Sequence, residues 1–186
     1  MKKCCWPVPL VLLLCFVINC QDKAAMGKLE KYRAQAAVEE QNRTLALRCV
    51  DAFQKGDIAT LKDIFSPDYV GHFPYVGHIL GHTTQTYEMV VESPKNYMMG
   101  FSDIAIIVDE AMAKGDKVTI RYTARATYTG ADLGLRDVRK KIEISGIAIE
   151  RMENGKIVEI WDAADAMSFF KQLGAELTLK FDEKKK

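Results

Sequence analysis

The sequence predicts an α+β domain, on three observations. Helical hydrophobic spacing fills the first half, as far as Glu92. Alternating patterns of strand type take over from Ile104. The later segments are joined by tight turns, Gly115-Asp116 and Asn154-Gly155, which place successive strands side by side and antiparallel. Helices followed by an antiparallel meander exclude the parallel α/β classes. The chain has 186 residues, enough for one such domain with a single core. Its 48% hydrophobic and 27% charged residues exclude disorder over most of its length. Lys and Arg total 26 against 25 Asp and Glu, so no basic field exists and no nucleic-acid partner is expected.

Each element has a local cause. Residues 20–27 read as a tether between a leader and the domain, which spans 28–178 before a charged tail at 179–186. Lys28 to Lys55 is helical, with Ala37, Leu45, Leu47, Val50 and Phe53 near one face. Cys49 inside it reads as a small core residue. Gly56-Asp57 stops that helix, and a short one follows from Ile58 to Phe65. Ser66-Pro67-Asp68 reads as a turn, and 69–82 as irregular chain. Thr83 to Glu92 forms a third helix, ended by Ser93-Pro94.

Four strands come next, Ile104–Ala113, Lys117–Tyr128, Arg139–Arg151 and Lys156–Trp161. On the second, Val118, Ile120, Tyr122, Ala124, Ala126 and Tyr128 share an apolar face, while Thr119, Arg121, Thr123, Arg125 and Thr127 face water. Asp165 opens a last helix, Ala166 to Leu173, and Gly174 closes it. A sheet wrapped on its own helices leaves a hollow between them.

The leader has a chemistry of its own. Of five cysteines, Cys4, Cys5, Cys15 and Cys20 fall in the first twenty residues, so the body forms no internal disulfide. Lys2 and Lys3 precede an apolar run from Leu10 to Ile18, too short to span a bilayer, and residues 1–19 read as a signal peptide. Val17-Ile18-Asn19-Cys20 resembles a bacterial lipoprotein box. That resemblance implies an exported protein anchored in the cell envelope through acyl chains on Cys20, each buried CH2 contributing about 0.8 kcal/mol. Plain cleavage near Cys20 without lipid is the alternative.

From Phe65 to Gly174 the motifs occur in a recognisable order. They begin with Ser66-Pro67-Asp68-Tyr69-Val70, His72-x-Pro74 and Gly81, then Gly115-Asp116-Lys117-Val118 with Arg121. Thr127-x-Thr129-Gly130, Gly134, Gly146 and Arg151 follow. Asn154-Gly155-Lys156-Ile157-Val158-Glu159-x-Trp161, Asp165 and Gln172-Leu173-Gly174 complete the set. This order resembles the SnoaL-like polyketide cyclase (ester cyclase) group of the nuclear transport factor 2-like superfamily. The resemblance implies a curved antiparallel sheet of about four to six strands on about three helices, cone-shaped around an apolar pocket. It also implies a homodimer through the sheet and a cyclase or isomerase that needs no cofactor. Two departures fall at the expected pocket mouth. Tyr128 stands where the family has a histidine, and Tyr75 to His82 follows a different pattern.

The resemblance makes Asp165 a general acid/base moving a proton beside carbonyl groups, with Trp161 as an apolar wall that raises its pKa. The same aspartate also suits a helix N-cap. His72 is the second catalytic candidate, able to orient a carbonyl or share a proton with Asp165. Phe73, Met98, Phe101, Tyr122 and Tyr128 are candidates to line the pocket and hold a small apolar molecule. His72, His78 and His82 lie close in sequence, but their spacing fits no zinc pattern and no metal is expected. Arg151 and Glu159 pair across the last hairpin. Beside the enzyme stands a second function class: an envelope protein that binds a small ligand or a partner without catalysis.

Overall fold

The computed structural model describes residues 8–73, 84–130 and 138–176, with side chains from residue 23 onward. Contacts divide the chain into two units, Met1–Val38 and Glu39–Lys186. Helix α1, Val8–Lys55, runs through both. In the first unit its Met26, Leu29, Tyr32 and Val38 are exposed. Residues 1–7 and the side chain of Cys20, on which the leader and its lipid depend, lie outside the description. Among the described residues no helix is long and apolar enough to cross a membrane.

The second unit is an α+β domain. After α1 come α2 (Ile58–Ile64), β1 (Phe65–His72), β2 (Thr84–Thr86), α3 (Tyr87–Gly100) and β3 (Phe101–Lys114). Then come β4 (Lys117–Tyr128), β5 (Lys140–Glu153), β6 (Lys156–Ala164) and α4 (Ala166–Leu173). The six strands form an open, curved sheet in the order β2-β1-β6-β5-β4-β3. It is mixed rather than wholly antiparallel, because β1 runs parallel to β6. The tight turns dictate antiparallel pairing only within β3 to β6. The place of β1 is set by where α2 delivers it.

From α1 the core takes Ala46, Cys49 and Ala52, one helical stripe of small residues that lets the backbone approach closely. Leu45 and Val50 pack beside that stripe, while Ala37 is exposed in the first unit. Asp57 caps α2, its carboxylate accepting the Thr60 N–H at 3.0 Å. Phe65 already belongs to β1, and the expected turn at Ser66-Pro67-Asp68 is strand. Pro67 is tolerated there because the pairing with β6 slips between Phe65 and Val70, so its missing N–H breaks no ladder.

The third helix also differs from expectation. Thr84–Thr86 pairs with β1 as a strand, and α3 runs through Pro94 to Gly100. Pro94 cannot donate to the carbonyl of Val90, four residues back. The Ser93 hydroxyl donates to that oxygen instead, at 2.6 Å, and the helix continues.

The later strands match the sequence more closely. Asn154 and Gly155 both take positive φ, 51° and 72°, as a two-residue hairpin turn requires. Helix α4 begins at its Asp165 cap and ends at Gly174 with φ 90°. Beyond Ala164 strand β5 has no β6 neighbour. Gln172 of α4 fills that edge: its carbonyl accepts the Glu143 N–H at 2.8 Å and its amide donates to Glu143 O at 2.7 Å.

Candidate functional site

The pairing register assigns every strand residue to one of two faces of the sheet. Val118, Ile120, Tyr122, Ala124, Ala126 and Tyr128 lie on the inner face, as the alternation predicts. Across the ladders they meet Ile142, Ile144, Gly146, Ala148 and Glu150 of β5, then Ile160, Asp162 and Ala164 of β6. At one end this face is sealed: Val118, Ile120, Glu150, Met152 and Ile157 are buried. At the other, Tyr128 is covered by Phe101 and Phe169, with ring centroids 5.1 and 5.6 Å away. Between them Tyr122, Ala124, Ala126, Ile144, Asp162 and Ala164 are only half-buried. Their side chains are mostly small, so the middle of the inner face is less tightly covered than its two ends.

One polar pair stands on that middle stretch. The Tyr122 hydroxyl donates to the Asp162 carboxylate, 3.1 Å from each oxygen. Gly146, opposite Tyr122 on β5, makes this placement feasible: a Cβ there would collide with the phenol. Further in, Glu150 is 4% exposed. Loss of water, and then the nearby Asp162 charge, push its pKa up to about 8. Tyr69 of β1 lies alongside, over Gly71, its phenol pushed up by burial first and then by Cys49, Glu150 and Asp162. Burial also raises the Cys49 thiol, as suits an inert core cysteine.

The residues singled out from sequence fall in several places. Asp165 is exposed at the start of α4, where its carboxylate accepts the Ser168 N–H at 2.9 Å. His72 and Trp161 are cross-strand partners on the outer face, with rings stacked at 5.4 Å. His72 Nε2 lies 2.9 Å from Glu159, which accepts from Arg151 Nε at 3.0 Å, the pairing expected across the hairpin. These contacts hold the Glu159 carboxyl below its ordinary range, with the His72 hydrogen bond contributing most. The structure therefore does not bring His72, Trp161 and Asp165 onto one face.

Tyr122 and Tyr128 are on the inner face, where Phe101 packs on Tyr128, and Phe73 packs on the core beside Gly71. Met98 is largely exposed and lies against Gly56. His78, His82 and the segment around them are outside the described residues, among which no cluster of metal-ligating side chains occurs.

Sequence reasoning missed Asp162, Glu150 and Tyr69. Glu150 carried a signal, since it is the one acid in the alternation Ile142, Ile144, Gly146, Ala148, Glu150, Met152. Asp162 was hidden by a bulge. Met152 pairs with Ile157 but Arg151 pairs with Glu159, so Val158 is an extra residue in β6. Strict alternation from Ile157 would aim Trp161 inward. The bulge turns Trp161 out and Asp162 in.

Comparison with known proteins agrees with this architecture. The sequence model of the SnoaL-like polyketide cyclases matches residues 43–173, and the chain belongs to that family. Among solved structures it is similar to IdmH from Streptomyces antibioticus, provisionally assigned as a polyketide cyclase. Identity is 27%, TM-score 0.65, covering 73% of this chain and 99% of that one. AclR from Streptomyces galilaeus, provisionally assigned as a hydroxylase, shares the fold at 22% identity and TM-score 0.63, over 76% of this chain and 90% of that one. A SnoaL-like protein from Jannaschia sp. CCS1 shares it at 16% identity and TM-score 0.62, over 75% and 95%. No curated protein matches the sequence significantly.

Proposed function

We propose that this protein is a cofactor-independent acid–base catalyst of the cyclase or isomerase type, acting on an apolar carbonyl compound in the inner-face hollow. The observation that carries the proposal is the Tyr122–Asp162 pair, a carboxylate with a fixed orientation among half-buried alanines. Asp162 takes a proton from a carbon flanked by carbonyls, and the C–H electron pair passes into an enolate. In a cyclisation the enolate carbon then bonds to a second carbonyl carbon of the same molecule. The alkoxide formed there recovers the proton from Asp162. Atoms balance with no oxidant and no metal. Asp165 keeps the capping role its hydrogen bond supports.

The same proposal places the enzyme outside the cytoplasm, exported by residues 1–19 and tethered through acylated Cys20. It pairs two copies through the outer face, where Trp161, Ile149, Ile147 and Met112 are exposed. The test is solvent deuterium exchange into ethyl benzoylacetate, followed by proton NMR. Exchange that needs Asp162 and not Asp165 supports the catalyst. Retention of apolar carbonyl compounds with no exchange above background makes the protein a binding module instead.

A further inference from the structure

Along α1 the balance of charge changes. Residues 21–38 hold four basic and two acidic residues, whereas residues 39–186 hold 20 and 23. In the later part of this helix the basic residues have acidic partners: Arg43 with Glu40, Arg48 with Asp63 and Lys55 with Asp51. In the first unit Lys23, Lys28, Lys31 and Arg33 are all exposed, and none of them forms an ion pair among the described residues. Met26, Leu29 and Tyr32 follow one another at intervals of three and are 52%, 41% and 68% exposed. At about 100° per residue they fall within an arc of about 120°, which Ala25 and Ala36 share. Lys28 borders that arc beyond Tyr32, and Arg33 lies at its Met26 edge. Lys23 and Lys31 occupy the remaining surface. Large apolar side chains exposed together along one helix face mark an interaction surface.

We propose that residues 23–38 form a membrane-surface helix that lies on an anionic lipid bilayer. Met26, Leu29 and Tyr32 enter the boundary of the acyl chains, and the lysines and Arg33 meet the headgroup phosphates. The stems of Lys28 and Arg33 stay beside the apolar arc while their charged ends reach the phosphates. The helix rests in the plane of the interface, since no helix among the described residues is long and apolar enough to cross. A second copy of the same helix fits less well. Asp22 and Glu30 are the only acids between residues 21 and 38, so two copies would set like charge against like. After Leu29, Tyr32 and Ala36 a coiled coil calls for an apolar residue at 39, and the chain has Glu39. The proposal takes its bilayer from the export and tethering proposed above, and adds a contact that needs no acyl chain.

The core draws on no residue before Leu45, so residues 21–186 keep the folded domain without the leader and without Cys20. The test is co-sedimentation of that chain with phosphatidylcholine vesicles, either pure or with about 30% phosphatidylglycerol. Binding is expected to be roughly tenfold tighter to the anionic vesicles and to weaken sharply between about 0.1 M and 1 M salt. The double variant Leu29→Ser, Tyr32→Ser loses roughly tenfold in affinity for the anionic vesicles. Lys28→Glu with Lys31→Glu abolishes the preference for them. Lys62→Glu with Lys171→Glu makes the same change of net charge on exposed residues of the domain and leaves binding as it was. Equal binding to both kinds of vesicle would overturn the proposal, as would an equal loss in the Lys62, Lys171 variant. Self-association in the absence of lipid that needs Leu29 and Tyr32, with no vesicle binding, would give the stripe to a second copy instead. Mass spectrometry of Cys20 in the exported full chain separates this helix from the tether. An unacylated Cys20 with anionic vesicle binding sinks the tether and upholds the helix, and an acylated Cys20 with no vesicle binding does the reverse.

Discussion

The two faces of one sheet use similar residues to opposite ends. On the outer face His72, Glu159 and Arg151 form a hydrogen-bonded chain beside Trp161, partly exposed to solvent. On the inner face Glu150, Asp162 and Tyr122 sit among apolar side chains. Outside, hydrogen bonds from His72 first and then from Arg151 lower the Glu159 pKa. Inside, the lack of water and then the nearby Asp162 charge raise the Glu150 pKa. The same carboxyl chemistry thus yields one acid whose pKa is lowered and one whose pKa is raised. Functional potential follows the dielectric surroundings more closely than the residue type.

The contrast can be broken at several points. The largest effect is expected from Asp162→Asn, which should cost deuterium exchange about 10²–10⁴-fold, the usual contribution of a positioned general base. Asp165→Asn should leave exchange within a factor of about three, because asparagine caps a helix as well as aspartate does. Loss of exchange in Asp165→Asn with normal exchange in Asp162→Asn would reverse the assignment.

The next effect is on stability against pH. The folded-state pKa of Glu150, about 8, lies above its ordinary value of 4.5. Between those two values the unfolded chain releases a proton that the folded chain keeps. Stability from this group is complete below pH 4.5 and is lost as pH rises towards 8, by a few kcal/mol. Wild-type unfolding in urea should therefore weaken from pH 5 to 8, and Glu150→Gln should flatten that profile. A wild-type profile already flat over this range would refute the buried-acid assignment.

Smaller effects come from packing. Gly146→Ala puts a methyl where the Tyr122 phenol lies, and should cost about 1–3 kcal/mol while dislodging the donor to Asp162. A reduced kcat with an intact fold by circular dichroism is the expected signature. Asp165→Ala removes the Ser168 cap and should cost about 0.5–2 kcal/mol in thermal or urea unfolding, with little change in exchange. The smallest change is expected from His72→Ala, an outer-face ion pair worth about 0–1 kcal/mol, with no loss of exchange. A large fall in kcat there would mean the outer face takes part in the chemistry.

Much of this fold was legible in advance because its signals are local. The Asn154-Gly155 turn, the Asp165 cap, the Gly174 stop and the alternation along β4 each depend on a few adjacent residues. The misjudged places are those where a distant partner overrides the local preference. Pro94 should end a helix, but the Ser93 hydroxyl satisfies the carbonyl it frees. Ser66-Pro67-Asp68 should turn, but β6 offers a slipped register that accepts it as strand. Trp161 should face inward by simple parity, but Val158 shifts the count by one.

The sequence by itself determined the class of fold, the order of its elements, the family it belongs to and the apolar face of its central strand. Those properties follow from hydrophobic period, turn chemistry and ordered motifs, all short-range in the chain. Only the tertiary structure decided which acid lies on the inner face. Trp161 and Asp162 are neighbours, and one extra residue in β6, accommodated by its pairing with β5, sends them to opposite sides. It also decided that the Glu150 pKa is raised, since that happens only when residues far away in sequence, from Cys49 to Asp162, have closed around the carboxyl and excluded water.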